Sequence, residues 1–212
     1  MALIHVRQEN LELKKRLQTL QLSLNGLREE AEATKRLRKL LNFTEMVEFP
    51  MVPAQVVGRD PSGWFKTLLI DKGKMDGIRV DMAVVNHQGV AGRIIGVSSH
   101  YSKVLLLADI NSAVDALIQE SRYKGILAGV SEKMCELKYL PPTQKVTVGE
   151  HVVTSGLSRF FPKGLPLGTI IKVDTDTGEM FQRILVQAAV NFSQLEEVLV
   201  VLKNEHEEGE QP

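Results

Sequence analysis

Leucines recur at spacings of three and four residues through the first forty positions, and from residue 52 the pattern changes to short β-branched runs broken by Gly and Asp. On a heptad, Leu3, Asn10, Leu17, Leu24, Ala31 and Arg38 share position a, while Val6, Leu13, Leu20, Leu27, Thr34 and Leu41 share position d. A seam that repeats every 3.5 residues predicts a helix that supercoils left-handedly with a partner. A helix packed along its own globular domain would carry a wider apolar stripe. Residues 3–41 are therefore expected to form a dimeric coiled coil, with Leu3, Val6, Asn10, Leu13, Leu17, Leu20, Leu24 and Leu27 in the interface. The flanks favour a parallel pair: Glu9 would meet the partner's Lys14, and Glu30 the partner's Lys35, whereas an antiparallel pair would oppose the basic e positions Arg7, Lys14, Arg28 and Lys35. Asn10 agrees, because an a-position amide pairs with its own copy only in a parallel, in-register dimer. Buried unpaired, it would cost about 1–3 kcal/mol. The seam weakens at Ala31, Thr34 and Arg38, where the strands are expected to splay. Asn42, followed by Pro50 and Pro53, is the expected stop.

The remainder reads as twelve short strands: 52–59, 64–71, 82–86, 88–97, 102–108, 112–118, 123–130, 133–140, 151–154, 165–174, 180–190 and 196–202. Turns are marked by Asp60-Pro61-Ser62-Gly63, Asn86-His87-Gln88-Gly89, Ser98-Ser99-His100 and 174–178. The stretch 111–121 is equally compatible with a short helix by propensity. An internal echo runs through these strands. Gly77, Asp81-Met82-Ala83-Val84-Val85 and Gly89 to Val97 correspond to Gly149, Glu150-His151-Val152-Val153 and Gly164 to Val173. Both end on a Gly-x-Ile-Ile-x-Val pattern, approximately repeated. The expected fold class is mainly β, two six-stranded β-barrels preceded by a long N-terminal coiled-coil α-helix. The expected division is a discontinuous barrel from 52–79 plus 141–203, an inserted barrel at 80–140 and an acidic disordered tail at 204–212, with Pro141-Pro142 marking the return crossing.

Composition adds little direction. Hydrophobic residues are 43% and charged residues 25%, with 26 Lys/Arg against 26 Asp/Glu, so no global field points to nucleic acid. Residues 1–41 are weakly basic, nine Lys/Arg to five Asp/Glu, and the tail after residue 202 is acidic. The single cysteine, Cys135, excludes a disulfide framework within the chain. No run of 18 apolar residues and no signal peptide are present, so a membrane anchor, if there is one, is expected to lie outside this segment.

Several motifs, in order and spacing, resemble one family over roughly residues 3–202. They are Asp60-Pro61 with Trp64; Gly73 and Gly77 with Met82-Ala83-Val84-Val85; and Gly89-Val90-Ala91-Gly92-Arg93. They continue through Ser102 to Leu107 with Asp109 and Asn111-Ser112, then Thr154-Ser155-Gly156-Leu157 with Phe161-Pro162-Lys163-Gly164, and end at Glu197-Val198-Leu199-Val200. Behind a leucine coiled coil, this set resembles the rod-shape-determining MreC family. The resemblance implies an N-terminal transmembrane anchor, an extracytoplasmic location (periplasmic or on the outer face of the cytoplasmic membrane) and a dimer, with possible higher assemblies. It also implies a non-enzymatic scaffold role in cell-wall elongation. The implied partners are a penicillin-binding transpeptidase, RodA, MreD and, indirectly, MreB, with no nucleic acid and no cofactor.

Two other classes compete with the scaffold reading: a chymotrypsin-like hydrolase on paired barrels, and a generic extracytoplasmic coiled-coil adaptor. Ser155 with His87, His100 or His151 and Asp71, Asp109 or Asp115 supplies the raw material for a triad. Yet no Gly-x-Ser-x-Gly elbow surrounds a serine, and a turn serine bonding its own backbone is the simpler role for Ser155. The histidines His5, His87, His100, His151 and His206 lack metal-ligand spacing, and no phosphate-binding loop is present. Catalytic, cofactor-binding and metal residues are accordingly expected to be none. Trp64, Phe160 and Phe161 sit in turn-rich stretches and are candidate partner-binding anchors, with closure of the barrel ends as the alternative role.

Overall fold

A computed structural model describes residues 2–46, 49–60, 64–158, 160–175 and 180–202, with the side chains of 2–11 and 46 excluded. The acidic tail expected at 204–212 lies outside the described residues. The chain divides into two compact units, 1–41 and 42–212. In the first, the leucine-rich segment forms α1 (Ala2–Met46), 45 residues and about 68 Å long at 1.5 Å per residue. The helix runs through Asn42 instead of stopping there. Asn is only a few tenths of a kcal/mol worse than its neighbours inside a helix, and the first residue after it that cannot continue one is Pro50.

The second unit holds twelve strands: β1 (Met51–Arg59), β2 (Thr67–Ile70), β3 (Ala83–Asn86), β4 (Gly89–Val97), β5 (Ser102–Leu106), β6 (Ala113–Ile118), β7 (Lys124–Gly129), β8 (Met134–Lys138), β9 (His151–Thr154), β10 (Pro166–Asp174), β11 (Arg183–Ala188) and β12 (Glu197–Val201). The ambiguous stretch 111–121 contributes a strand, β6, whose Val114, Ala116, Leu117 and Ile118 are buried. Alternation wins there because both neighbours, β7 and β9, supply ladder partners that an isolated helical turn would lack.

These strands close into two antiparallel barrels, one in the order β1-β12-β3-β4-β5-β2 and the other β10-β11-β8-β7-β6-β9. The expected boundaries are thereby corrected. The first barrel is the discontinuous one, but it takes β3, β4 and β5 from the stretch assigned to the insert. The inserted barrel is β6 to β11. Pro141-Pro142 is not the return crossing. Gln182 donates from its backbone N–H to Leu140 O at 2.9 Å and from Nε2 to Pro141 O at 3.2 Å, which places the proline pair within the second barrel. Local composition marks where strands end, but not which distant strand each one pairs with.

Each barrel is filled from its inner face. Leu68, Ile70, Ile94, Val104 and Val200 are buried in the first, and Leu127, Cys135, Leu137, Ile170, Ile184 and Val186 in the second. The chain crosses between the barrels twice, and each crossing is clamped by polar groups. On the way out, the buried Asp109 carboxylate accepts Lys66 N at 2.7 Å and Asn111 N at 2.8 Å, and Lys66 Nζ donates to Ala108 O at 3.1 Å. Gly129 lies so close that a Cβ there would sit 2.3 Å from Asp109 O, so no larger residue fits under this crossing. On the way back, the Arg59 guanidinium donates to Phe192 O at 2.8 Å and Leu195 O at 2.7 Å.

Candidate functional site

The helix presents one candidate surface. Leu13, Leu17, Leu20, Leu24 and Leu27 are all more than half exposed in the single chain. Five leucines on one seam, each with on the order of 100 Å² to lose, form an apolar stripe of a size that soluble helices seldom leave in water. The side chains of Leu3, Val6 and Asn10 lie outside the described residues. Near the weaker end of the seam, Lys35 pairs with Glu32 at 2.5 Å, and that hydrogen bond holds the Glu32 carboxyl below its ordinary pKa.

The barrels present a second. Trp64 is 84% exposed, beside the half-exposed Phe65 in the connection from β1 to β2. Close by, a shallow depression of about 280 Å³ is lined by Gly58, Arg59, Asp60, Thr67, Leu68, Leu69 and Lys103. Val57, the extra residue of a bulge in β1, adds another exposed apolar side chain. Phe65, Val57 and Leu69 were not singled out from sequence. Phe65 was visible as the neighbour of Trp64, but Val57 and Leu69 read as ordinary strand residues, and only the bulge shows that Val57 faces out.

The two phenylalanines do not act together. Phe161 is only 4% exposed, so it packs in the core and is not a surface anchor. Phe160 is partly exposed, and its ring lies under the Arg93 guanidinium, 5.5 Å from guanidinium carbon to ring centroid. Arg93 belongs to β4 of the first barrel and also pairs with Asp81. Phe160 precedes β10 of the second, so this cation–π contact, worth about 0.5–1 kcal/mol, spans the two barrels.

Four of the groups that could serve a hydrolase, Ser155, His151, Asp71 and Asp109, make other bonds. Ser155 Oγ accepts the Leu157 N–H at 3.2 Å, the local turn bond that its sequence suggests. His151 Nδ1 lies 2.7 Å from Glu120 Oε1, and its backbone N–H donates to Glu120 Oε2 at 2.9 Å. These bonds, the side-chain one foremost, hold the Glu120 carboxyl below its ordinary pKa. Asp71 Oδ1 accepts the Gln55 N–H at 2.7 Å, and Asp109 is the crossing clamp. Cys135 is buried, and desolvation pushes its thiol up to about 12, so it stays protonated while the barrel is folded. Among the described residues, no three His, Cys, Asp or Glu side chains converge as metal ligands would.

Fold and surfaces together define a double-β-barrel protein led by a long helix with an uncovered leucine seam. The family model described as "Rod shape-determining protein MreC, barrel core" matches residues 56–202. A cell shape-determining protein MreC of Listeria monocytogenes is 34% identical over 95% of this chain and 70% of its own length. The chain belongs to the rod-shape-determining MreC family. A solved MreC structure, also from Listeria, is 33% identical, covers 92% of this chain and 96% of its own, and superposes with a TM-score of 0.69. A complex of a penicillin-binding protein, PBP2, with MreC from Helicobacter pylori contains a chain that shares the fold, with a TM-score of 0.61 at 15% identity over 74% of this chain and 100% of that one. The curated relatives are longer, and this chain spans between 40% and 70% of their length.

Proposed function

We propose that this chain is an extracytoplasmic, non-enzymatic scaffold of cell-wall elongation. In this reading it pairs in parallel through its leucine seam and offers its barrels to wall-synthesis enzymes. The observation that carries the reading is the row of exposed leucines from Leu13 to Leu27, beside side chains in the barrels that are committed to structure and not to a reactive centre. The dimer interface would comprise Leu3, Val6, Asn10, Leu13, Leu17, Leu20, Leu24 and Leu27. The first partner is a penicillin-binding transpeptidase; in support, MreC from Helicobacter pylori is solved in complex with a penicillin-binding protein, PBP2. The proposal extends to RodA, MreD and, through MreD, MreB, the further partners that the resemblance implies. No helix among the described residues is long and apolar enough to cross a membrane, so the reading places the anchor outside the segment described. The extracytoplasmic location agrees with relatives whose solved part is called the major periplasmic domain.

On the barrels, the docking surface we favour is the exposed Trp64 and Phe65 with the neighbouring depression. A large aromatic beside a shallow pocket is the usual composition of an interface anchor. The test is capture of the chain's own transpeptidase from solubilised membranes by the wild-type protein and by Trp64→Glu. The variant should keep its melting temperature within a few degrees and lose most of the captured enzyme. Equal capture by both would remove this surface, and turnover of peptide or peptidoglycan substrates by the purified chain would refute the non-enzymatic reading.

A further inference from the structure

The two barrels repeat each other strand for strand, with one displacement. Around the first barrel, β1 pairs with β2, β2 with β5, β5 with β4 and β4 with β3. Around the second, β7 pairs with β8, β8 with β11, β11 with β10 and β10 with β9. The sixth strand lies between the first and third in both cases. In the first barrel it is β12, between β1 and β3, and in the second it is β6, between β7 and β9. Chain order therefore gives two units of identical path, β1 to β6 and β7 to β12, each of which sends its last strand into the other's barrel.

Fine detail supports equivalence well beyond shared topology. The register of β4 shifts between Val90 and Gly92 against β3, and between Ile94 and Gly96 against β5. In β10 it shifts between Pro166 and Gly168 against β9, and between Ile170 and Lys172 against β11. The same two bulges thus recur at the same two places. Gly92 and Gly168 are matched: a Cβ would sit 2.1 Å from Leu105 O at one and 2.2 Å from Gln187 O at the other, where the strands cross too closely for any side chain. Asp81 N donates to Ile94 O and Ile94 N to Met82 O. Gly149 N donates to Ile170 O and Ile170 N to Glu150 O. Asp81 and Gly149 both adopt positive φ, 73° and 98°. At the strand ends, Leu107 N donates to Ala91 O and Ala189 N to Leu167 O.

The displaced strands match as well. Val200 and Leu199 of β12 stand opposite Val84 and Val85, while Ile118 and Leu117 of β6 stand opposite Val152 and Val153. Their sequences agree in that frame, Asp115-Ala116-Leu117-Ile118 against Glu197-Val198-Leu199-Val200. Bulges arise independently in many sheets. Two bulges, one obligate glycine, one positive-φ turn and a strand sequence falling into a single frame point to a common unit.

We infer that residues 51–201 are two copies of one six-stranded unit that have exchanged their last strands, and that the exchange interlocks the barrels. Neither half of the chain can leave without pulling a strand out of the other half's barrel. The Asp109 and Arg59 clamps brace the two crossings that the exchange requires. The barrels are then a single body and not two domains on a tether, which are free to reorient unless a large interface restrains them.

The exchange is tested by cutting the full-length chain between the units, through a site-specific protease sequence inserted between Ser121 and Arg122. After complete cleavage the two fragments should co-elute in native size-exclusion chromatography and part only in denaturant. Cys135 in the second barrel should react with a thiol reagent at a rate within about twofold of the uncut protein. Fragments that separate under native conditions, or a Cys135 that reacts at its unfolded rate after the cut, would overturn the exchange. A second variant needs no insertion: Gln55→Cys with Glu197→Cys in a Cys135→Ser chain places thiols on directly opposed residues of β1 and β12. Mild oxidation should form that disulfide in most molecules, and its absence in a folded chain would also overturn the proposal.

Discussion

On the proposed pairing of two copies through the leucine seam, replacing two of its leucines by aspartate, Leu20→Asp with Leu27→Asp, should give a monomer with intact barrels. In the single chain these side chains are 59% and 63% exposed. Each then has on the order of 100 Å² to bury, which at about 25 cal/mol per Å² is roughly 2.5 kcal/mol per leucine, or about 10 kcal/mol for the four in a dimer. Burial in a two-stranded seam is incomplete and the unpaired helix is not fully extended, so about half of this, roughly 5 kcal/mol, is a sounder figure. That loss alone raises the dissociation constant by between three and four orders of magnitude. The introduced carboxylates add to it, because paired d positions bring like charges together in low dielectric. Sedimentation velocity at micromolar concentration reads the outcome as a shift from dimer to monomer. Far-UV circular dichroism should retain the β signal, because the changes touch no barrel residue. A variant that still sediments as a dimer would show that the leucine seam is not what joins the copies.

Asn10→Leu should raise the helix melting temperature while admitting trimers or antiparallel pairs, visible by sedimentation equilibrium, because it exchanges a register-fixing amide for an apolar contact. Ser155→Ala should leave rod-shape complementation intact in cells and lower stability by about 1 kcal/mol or less, since it removes one local turn bond. His151→Ala should bring the Glu120 carboxyl titration back up towards the ordinary carboxylate range, read by carbon-13 NMR of the side chain. The sign follows from linkage: a carboxyl held low in the fold stabilises it at neutral pH, and that contribution disappears as pH falls through the folded-state pKa. Because Glu120 and His151 are both largely exposed, the accompanying change in melting temperature should be small, and a large one would mean that the pair does more than it does on the surface.

Strands were legible from sequence because alternation and turn residues are local properties. Every expected strand appears, displaced at its ends by no more than three residues, with β2, β5, β8 and β11 shortened the most. The allocation of strands to barrels was not legible, because it depends on which chain segment fills the gap between β1 and β3. Any apolar strand of five or six residues satisfies that slot by pattern. The echo between β3–β4 and β9–β10 shows only that these two pairs belong to different barrels. Yet a barrel made of the central six, β3 to β8, would also keep β3–β4 apart from β9–β10, so the echo is compatible with both divisions and does not choose between them. Asn42 misled for a related reason: a weak helix former reads as a stop only when the turn that follows supplies one, and here the helix continues to Met46.

The candidate anchors show where residue type stops being informative. Phe160 and Phe161 are adjacent and identical, yet one contacts Arg93 from the other barrel at the surface and the other is buried. Facing is set by how the connection from β9 to β10 returns to Gly164, which has a positive φ of 90°, and no hydrophobicity pattern encodes that. The contact also changes what a charge substitution at Phe160 would report. A carboxylate there would face the Arg93 guanidinium and form an ion pair in place of the cation–π contact, so stability and any nearby binding would change together. Trp64 does not share this complication to the same degree: it is the most exposed large apolar side chain among the described residues, and it lies in the loop whose two ends, Asp60 and Thr67, line the depression. A test of partner binding on the barrels is therefore more discriminating at Trp64, while Phe160 is better regarded as part of what holds the barrels in register.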